Sequence, residues 1–550
     1  MTAVTIVGAG PAGLAAAEVL DAHDVPVLLV DEQPRPGGQI FRQPPASFPG
    51  AEATYTAGYG WGRDLVTVPE RPGIRFAGST TALGVLHERA DEGGHGLVAG
   101  PAGPRTGPDR LSVVLRGPDG VRSHETAALL VATGAYDMPV PMPGWTLPGV
   151  VMAGAAQAMV KSQKMVPPGP IVLSGAHPLL LVAADQLLRS GAEISELVLT
   201  RGLPGPREAW AALPAVPGHV AMLAELGTAL ARLVRAGVRI STHSTVVSAS
   251  GADRVEAVQI DRLDPHGRPS GRPRTVEAAT LVLGYGFQPS TELARQARCR
   301  LHHNAKAGGW VVDHDGTGRT TAPGVYVAGE PTGVAGAEAS RAEGVLAALS
   351  IVADLGRPVA ATRWRDARRG VRAAARFARV VQDLFQVPSA LLDSLATEET
   401  VVCRCERVSA GDLRSTLDRN PQMTTVSAVK LECRAGMGPC QGRYCEASVS
   451  RALCAARGRR PDQAGYAAAH LPIKPVLVRD LAALATDLLA TNPDATDHLA
   501  TNPDGERNVV RRPPAQEPHN VAFGGVGDGA LDGVGDGHTD PDAPASGGVR

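Results

Sequence analysis

The chain of 550 residues has room for roughly three or four domains of ordinary size, and 43% of its residues are hydrophobic, which is enough for sizeable cores. Its 54 basic and 55 acidic residues give a formal net charge of -1, so it has no basic excess to attract nucleic acid or an anionic membrane. The sequence has neither a cationic leader nor an apolar run of the ~18 residues that a membrane span needs, and we expect a soluble cytoplasmic protein.

Residues 4 to 31 have the pattern of a strand, a glycine-rich turn, a helix and a second strand, which read VTIVGAG, PAGLAAAEVLDAH and VPVLLVD. This order is typical of the opening of a doubly wound α/β fold. Residues 88 to 111 are rich in Gly and Pro and lack periodicity, so they are predicted to form the loop at the tip of a hairpin.

A second strand-turn-helix-strand pattern runs from 170 to 200, and an amphipathic stretch near 220 to 236 and strands to about 286 follow it. This pattern predicts a second, smaller dinucleotide-type domain. The chain then returns to an apolar strand and a glycine turn at 324 to 336, followed by a helix and a connector rich in Arg and Ala. A cysteine-rich module occupies about 400 to 485, and the fall in hydrophobic content beyond it predicts a disordered tail.

The first glycine turn has the G-x-G-x-x-G spacing of a dinucleotide site, formed by Gly8, Gly10 and Gly13. The first glycine permits the tight turn, the second lets the backbone approach a pyrophosphate, and the third permits close packing of helix on strand. Asp31 ends the second strand 18 residues after Gly13, where its carboxylate can accept hydrogen bonds from a ribose. A tight turn without a ligand is the alternative, but strand, helix, second strand and acid in register favour a nucleotide site.

The continuation resembles the FAD-dependent pyridine nucleotide-disulfide oxidoreductase superfamily over roughly residues 1 to 350. Three separated motifs carry the resemblance: DEQPRPGGQI (31 to 40), LLVATGAYDMPVPMPG (129 to 144) and GVYVAGE (324 to 330). In that family the first motif lines the flavin, the second runs along the cofactor, and the acid of the third holds the ribityl chain. The FAD-binding residues that follow from the glycine turn and the resemblance are Gly8, Ala9, Gly10, Pro11, Ala12, Gly13, Asp31, Glu32, Gly37, Gly38, Gln39, Ala132, Thr133, Gly134, Gly329 and Glu330. Glu330 departs from the family, which usually has Asp there, and moves the acceptor by one methylene.

The second glycine turn, GAHPLL at 175 to 180, is degenerate. In the family this inserted domain binds NAD(P)H, but here His177 has a Cβ where the backbone would touch the pyrophosphate, and Leu180 replaces a small residue. The next strand ends in Thr200 and Arg201 rather than in an acid for the ribose. Arg201 could instead meet the 2′-phosphate of NADP, but without the glycine turn we expect a retained fold that has lost its nicotinamide nucleotide. The sequence also lacks a redox cysteine pair near the flavin motifs.

Four cysteines have the spacing C-x-C and C-x4-C: Cys403, Cys405, Cys440 and Cys445. Four thiolates on two tight turns are what a [2Fe-2S] cluster needs, since each iron takes two of them. Spacing alone leaves a structural zinc site open. The sequence around these cysteines resembles the bacterioferritin-associated-ferredoxin-like [2Fe-2S] domain, in the segments VCRCERVSAGDLR (402 to 414) and GMGPCQGRYC (436 to 445). The resemblance implies the cluster.

Three further cysteines are not assigned to the metal. Cys433 is interpreted as a neighbour of the ligands, and Cys299 and Cys454 as packing residues.

The order of the three parts resembles the α subunit of heteromeric amino-acid dehydrogenases, the opine oxidase, D-hydroxyproline or proline dehydrogenase and hydrogen cyanide synthase type. The resemblance implies a separate FAD-containing β subunit that oxidises the substrate, and a relay of electrons through this chain's cluster and FAD to a downstream acceptor other than oxygen. It therefore implies no catalytic residue in this chain. A self-contained NAD(P)H-dependent reductase of a protein acceptor and a non-redox zinc-binding subunit are the alternatives.

The expected fold is α/β, with two dinucleotide-binding (Rossmann-like) domains, a small C-terminal α-helical [2Fe-2S] domain and a disordered tail. The expected boundaries are 1–160 and 287–360 for the two parts of the FAD domain, 161–286 for the degenerate NAD(P)-type domain, 361–399 for a helical connector, 400–485 for the [2Fe-2S] domain and 486–550 for the tail.

Overall fold

The structure is a computed structural model that describes residues 2–45, 47–48, 59–88, 110–202 and 204–491. The first part of the chain alternates strands with short helices before it enters a hairpin sheet. Its elements are β1 (Val4–Val7), α1 (Pro11–Asp21), β2 (Val27–Val30), α2 (Gly62–Leu65), β3 (Ile74–Ala77), β4 (Thr81–Glu88), β5 (Arg110–Gly117), β6 (Gly120–Thr126), β7 (Ala128–Val131), β8 (Ala135–Asp137) and β9 (Val150–Met152).

The middle of the chain begins with a helix that continues into a π-helical turn, Met159–Gln163. Its elements are α3 (Ala153–Ala158), β10 (Ile171–Gly175), α4 (Leu179–Arg189), β11 (Ile194–Leu199), α5 (Pro206–Ala212), α6 (Val220–Arg235), β12 (Arg239–Ser241), β13 (Ser244–Ser250), β14 (Ala257–Arg262), β15 (Arg274–Glu277), β16 (Thr280–Gly284), β17 (Phe287–Pro289), α7 (Glu292–Gln296), β18 (Leu301–Asn304) and β19 (Gly309–Val312).

The last part of the chain is mainly helical. Its elements are β20 (Val325–Val327), α8 (Ala337–Asp354), α9 (Ala361–Leu384), α10 (Ser389–Ser394), β21 (Val401–Cys403), β22 (Val408–Ser409), α11 (Ala410–Arg419), α12 (Val426–Cys433), α13 (Glu446–Arg457), α14 (Pro461–Ala464) and α15 (Val478–Thr491). Within the described residues, we find no helix with both the length and the apolar character needed to cross a membrane.

The first sheet is parallel and has the strand order β20-β7-β1-β2-β3. Its central strands are buried along their whole length, as expected for a parallel sheet with helices on its faces, and this explains their unbroken runs of Val, Ile and Leu. Helices α1 and α8 pack backbone to backbone, because a Cβ on Gly344 would lie 2.1 Å from the carbonyl oxygen of Ala12. This packing fixes the start of α1 beneath the first glycine turn.

The second sheet is also parallel and has the order β12-β11-β10-β16-β9. Helix α4 follows β10 directly and packs on this sheet through Leu180, Ala184 and Leu187, which are fully buried. A separate antiparallel sheet, β13-β14-β15, lies beside it. The predicted fold class, α/β with two dinucleotide-type sheets and a helical C-terminal module, is confirmed.

Strands β4, β5 and β6 form an antiparallel sheet. The strands that flank the predicted hairpin loop do pair with each other, and residues 89–109 of that loop lie outside the described part of the chain. Residues 466–491, which we call the C-terminal strap, pack on this sheet, and Val476 and Leu484 cover one face of it. Leu484 of the strap belongs to a buried cluster with Leu83 and Val114 of the sheet.

The strap is also held by polar contacts. The N–H of Ile473 donates to the carbonyl oxygen of Leu83 over 2.8 Å, and Lys474 forms an ion pair with Glu32. Helix α15 continues to Thr491, into the predicted tail, and residues 492–550 lie outside the described part of the chain.

The cysteine-rich module is a small bundle of α11, α12 and α13 around a core that contains Leu413, Val429 and Leu453. Helix α11 begins with a capping box in which the side chain of Ser409 accepts a hydrogen bond from the N–H of Asp412, and the Asp412 carboxylate accepts one from the N–H of Ser409. The module therefore has its own core, and Ala467 of the strap also belongs to it.

Candidate functional site

The first glycine turn leaves a free surface at one position only. A Cβ on Gly8 would lie 2.1 Å from the carbonyl oxygen of Ala132, and one on Gly13 would lie 1.8 Å from the carbonyl oxygen of Gly8. At Gly10 the nearest atom to such a Cβ is the Cα of Gly38 at 3.9 Å, which is an ordinary contact. Since the fold itself does not require glycine at position 10, the open surface there fits the close approach of an external pyrophosphate.

The start of α1 is suited to an anion. Pro11 occupies its first turn, no side chain caps its N-terminus and no acidic residue lies in its first turn. Helix N-termini of this kind present N–H groups and a partial positive charge to a phosphate.

Asp31 lies beside this turn, where the sequence predicts the ribose acceptor. Its carboxylate accepts hydrogen bonds of 2.7 Å from the N–H groups of Ala9 and Gln33, which hold it against the glycine turn. Burial raises the pKa of Asp31 above its ordinary value. Glu32, the next residue, contacts the strap through Lys474.

The Gly37-Gly38-Gln39 segment packs directly on the glycine turn. The N–H of Gly37 donates to the carbonyl oxygen of Ala9 over 2.8 Å, and a Cβ on Gly38 would lie 2.8 Å from the Cα of Gly10. The structure thus packs the first of the three predicted FAD motifs against the glycine turn.

The third predicted motif brings two glutamates close together. The carboxylate of Glu330 accepts a hydrogen bond of 2.9 Å from the N–H of Gly336, next to the start of α8. Glu343 accepts hydrogen bonds from the N–H of Gly329 over 2.9 Å and from the hydroxyl of Thr332 over 2.8 Å. Burial raises the pKa of each glutamate to about 7. The sequence predicts Glu330 only; Glu343 is one of several charged residues of α8, and no local pattern in the sequence sets it apart.

The backbone N–H groups of the second glycine turn already donate hydrogen bonds within the chain. The N–H groups of Ala176 and His177 both donate to the carbonyl oxygen of Gly284, over 3.1 and 3.2 Å. A Cβ on Gly284 would lie 2.7 Å from Leu180, so this leucine fills the space between helix and strand. The ring of His177 packs edge-on against Phe287 at 5.0 Å, and burial lowers its pKa to about 4, which keeps it neutral.

Arg201, the alternative ligand for a 2′-phosphate, is also engaged within the chain. It forms an ion pair of 2.7 Å with Glu208, donates to the carbonyl oxygen of Leu384 and lies over the ring of Phe385 at 5.7 Å. An incoming phosphate would have to replace these contacts.

The four predicted cluster ligands meet as two pairs of thiols. Cys403 is hydrogen-bonded to Cys445, and Cys405 to Cys440. These are the pairs that two irons with two cysteine ligands each require, and in the described residues no group of His, Cys, Asp and Glu has the geometry of a site for one metal ion. The donor set of four thiols in two pairs therefore fits a two-iron cluster.

Backbone N–H groups point at the sulfurs. The hydrogen bond from the Cys445 thiol lowers the pKa of Cys403 most, and the N–H groups of Gly436 and Glu406 add to it, so that this pKa falls to about 5. A Cβ on Gly438 would lie 2.2 Å from the Cβ of Cys405, so glycine is needed there for the two turns to approach. Such N–H groups stabilise thiolates and tune a bound cluster.

The other cysteines are engaged elsewhere. The thiol of Cys433 donates to the carbonyl oxygen of Val429 over 3.2 Å, within α12. Cys299 is buried and lies 3.4 Å from the hydroxyl of Thr320. Cys454 packs against the core of the module.

Arg443, between two of the cluster ligands, joins the cysteine module to the rest of the chain. Its guanidinium donates to the hydroxyl of Tyr136 over 3.1 Å, to the carbonyl oxygen of Cys440 over 3.1 Å and to that of Ile473 over 2.9 Å. It also forms an ion pair of 3.4 Å with Glu292, and the two side chains are only 8% and 16% exposed. We call this set of contacts the Arg443 junction.

The junction continues to the predicted FAD segment. The hydroxyl of Ser290 donates to that of Tyr136 over 3.1 Å, and the hydroxyl of Thr133 donates to the carbonyl oxygen of Ser290 over 2.7 Å. A second link between module and domain is the indole N–H of Trp145, which donates to the carbonyl oxygen of Val401 over 2.6 Å. The sequence does not predict these contacts, because each joins residues that are far apart in the chain.

Comparison with known protein families agrees with this arrangement. Residues 2–344 match the family model described as pyridine nucleotide-disulphide oxidoreductase. The chain belongs to this family. Residues 401–453 match the BFD-like [2Fe-2S] binding domain. The predicted resemblance is confirmed, and the chain is an FAD-dependent oxidoreductase whose cofactors are FAD and a [2Fe-2S] cluster.

Several relatives of this family member cover nearly the whole chain. The A subunit of opine oxidase from Agrobacterium tumefaciens (strain Ach5) is 34% identical over 485 residues, which are 87% of this chain and 91% of the relative. The hydrogen cyanide synthase subunit HcnB of Pseudomonas aeruginosa is 31% identical over 489 residues, 88% of this chain and 98% of the relative. The structure of L-proline dehydrogenase from P. horikoshii shares the fold, with a TM-score of 0.59 at 19% identity over 87% of this chain and 79% of that one.

Proposed function

We propose that this chain is the electron-transfer subunit of a heteromeric amino-acid dehydrogenase acting on an opine, proline, hydroxyproline or glycine. A separate FAD-containing subunit oxidises the substrate, and this chain passes the electrons to an acceptor other than oxygen. The names of the relatives support the proposal, since the opine oxidase and hydrogen cyanide synthase relatives are each one subunit of a larger enzyme. When bound, FAD accepts or donates one or two electrons and the [2Fe-2S] cluster exchanges single electrons.

The second glycine turn is the observation that carries this proposal. A self-contained reductase needs a site for NAD(P)H, and the N–H groups that would bind its pyrophosphate already donate to Gly284. Leu180 and Phe287 fill the space around the turn. A partner subunit is then the simplest source of electrons.

The roles of this chain's residues are to hold and orient the two cofactors. We propose that the open surface at Gly10 receives the pyrophosphate and that Asp31 accepts from the ribose. The remaining proposed FAD contacts are Gly8, Ala9, Pro11, Ala12, Gly13, Glu32, Gly37, Gly38, Gln39, Ala132, Thr133, Gly134, Gly329 and Glu330. The proposed cluster ligands are Cys403, Cys405, Cys440 and Cys445. The Arg443 junction fixes the cysteine turns relative to the Thr133 segment, so that both cofactors keep one geometry.

Anaerobic titration of the purified chain with NADH and NADPH tests the source of electrons. We expect the flavin absorbance to persist at a tenfold excess of either nucleotide, while dithionite bleaches it. Rapid bleaching by NADH or NADPH would support a self-contained reductase and contradict the proposal.

Co-expression with a neighbouring oxidase-like gene tests the partner. We expect dye reduction with at least one of proline, hydroxyproline, glycine or an opine only when both chains are present. Equal dye reduction by the isolated chain would place the substrate site here and refute the relay.

A further inference from the structure

A buried lysine and a half-buried arginine lie close enough to repel each other beside the Gly37-Gly38 segment. Lys161 lies in the π-helical turn Met159–Gln163, at the entry to the second sheet, and its side chain is only 6% exposed. Its ammonium donates over 3.3 Å to the carbonyl oxygen of Ile40, which is its only hydrogen-bond partner in the part of the chain that the structure describes. Arg42 is the neighbouring cation, and it repels Lys161.

Arg42 has a hydrogen-bond donor without an acceptor among the described residues. Its Nε is buried and has no hydrogen-bond partner among the described residues. The carboxylate that attracts it is Asp31, and both oxygens of Asp31 already accept from backbone N–H groups. No carboxylate of the described residues offsets the charge of Lys161, and burial together with repulsion by Arg42 lowers its pKa to about 8.

A buried lysine beside a half-buried arginine, without a full counter-charge, is costly unless an anion completes the site. The position of this pair, next to the first glycine turn, points to FAD as the source of the anion. Ile40 follows Gly38 by two residues, and Gly38 packs on Gly10, the one glycine of the first turn that leaves an open surface. A π-helical turn inside a helix is also a common feature of binding sites.

We propose that Lys161 and Arg42 form an anion subsite for a negatively charged group of FAD, either its pyrophosphate or the N1–C2=O edge of the reduced ring. The proposal rests on FAD binding at the first glycine turn and is independent of the amino-acid substrate. Because Lys161 lies in the π-helical turn before β10 of the second sheet and Arg42 in the segment that follows β2 of the first, the bound anion ties the two dinucleotide folds together. The degenerate domain then contributes to FAD binding even though it binds no nicotinamide nucleotide.

The test compares Lys161→Met and Arg42→Met with Lys161→Arg in the full-length chain. Lys164→Ala is the matched control, since it removes an exposed cation three residues away. Methionine keeps the length of the lysine stem without its charge, so we expect Lys161→Met to fold and to melt no earlier than the parent when FAD has been removed. The readouts are the dissociation constant of FAD from flavin fluorescence, the rise in melting temperature on adding FAD, and the flavin midpoint potential.

The two sources of the anion give different results. If the pyrophosphate occupies the subsite, each methionine variant should raise the dissociation constant of oxidised FAD at least tenfold, and inorganic pyrophosphate should compete with FAD for the parent only. If the reduced ring occupies it, the affinity for oxidised FAD should change less than threefold, while the midpoint potential falls by at least about 30 mV, a tenfold loss of affinity for the reduced form.

In both cases Lys161→Arg should retain most of the parent's behaviour, because it keeps the charge. The proposal is overturned if the methionine variants match Lys164→Ala in FAD affinity, FAD-induced stabilisation and midpoint potential. It is also overturned if Lys161→Arg is as defective as Lys161→Met, since a charge would then not be what the site uses. If the parent chain binds FAD but the co-expressed enzyme fails the dehydrogenase assay, the failure concerns the proposed function and leaves this subsite standing.

Discussion

Replacing Arg443 with methionine should loosen the cysteine module from the FAD domain. The change leaves Glu292 without its counter-ion and removes the donors to Tyr136, Cys440 and Ile473. Removing one partner of a buried ion pair costs about 3–5 kcal/mol, because the remaining charge stays in a poorly solvated place. Arg443→Lys keeps the charge but cannot reach all of these acceptors at once, and we expect a loss of about 1–3 kcal/mol.

Urea unfolding of the full holoprotein measures this loss, followed by visible circular dichroism for the cluster and by tryptophan fluorescence for the rest of the chain. The matched control is Arg414→Met on α11, whose side chain is 59% exposed and pairs with the exposed Glu398. An exposed pair of this kind contributes at most about 1 kcal/mol. We expect the cluster signal of Arg443→Met to disappear at a lower urea concentration than that of the parent and of the control.

A double variant tests the cause. Adding Glu292→Gln to Arg443→Met removes the stranded charge and should recover about 1–3 kcal/mol of the loss. If Arg443→Met is no less stable than Arg414→Met, the junction does not hold the module. If the double variant recovers nothing, the ion pair is not the source of the effect.

Three further predictions concern the glycine turn, the cysteines and the buried acids. Gly10→Ala should fold but bind FAD at least tenfold more weakly, measured by flavin fluorescence, whereas Gly13→Ala should fail to fold because its Cβ would lie 1.8 Å from a carbonyl oxygen; equal FAD affinity in Gly10→Ala would contradict the first part. Cys405→Ser should lose the visible absorption and acid-labile sulfide of the cluster and Cys433→Ser should keep both, and the reverse pattern would reassign the ligands. Burial raises the pKa of Glu343 to about 7 from 4.5, so the folded state holds an extra proton between these values and the melting temperature should fall as the pH rises from 5 to 8; an equal fall in Glu343→Gln would show that other groups cause it.

Features that depend on a short stretch of sequence are predictable here. The turn between β1 and α1 needs glycine at positions 8 and 13 whether or not a ligand binds. The structure shows why, because a Cβ at either position would clash with a backbone carbonyl oxygen. The defect of the second turn is equally local, since His177 and Leu180 stand where the motif needs small residues. Local sterics explain why both predictions could be made from a few residues.

Contacts between modules are not predictable in this way. Arg443 and Tyr136 are separated by 307 positions in the chain, and nothing in the CQGRYC segment identifies a tyrosine of the FAD domain as the partner. The pairing of Lys161 with the Ile40 carbonyl has the same origin, because it depends on how the second sheet packs against the first. Such contacts form when separately folded parts of the chain pack against each other, and a single sequence contains no periodic signal for them.

The C-terminal strap also constrains the order in which the protein can be completed during synthesis. The sheet of β4, β5 and β6 has all its strands by residue 126, but one face of it stays uncovered until Leu484 has left the ribosome. At roughly 5–20 residues per second this interval lasts on the order of tens of seconds. During that time Leu83 and Val114 form an exposed apolar face, and Glu32 has not yet formed its ion pair with Lys474. A chain stopped after the matched [2Fe-2S] domain, at residue 453, would keep that face uncovered permanently.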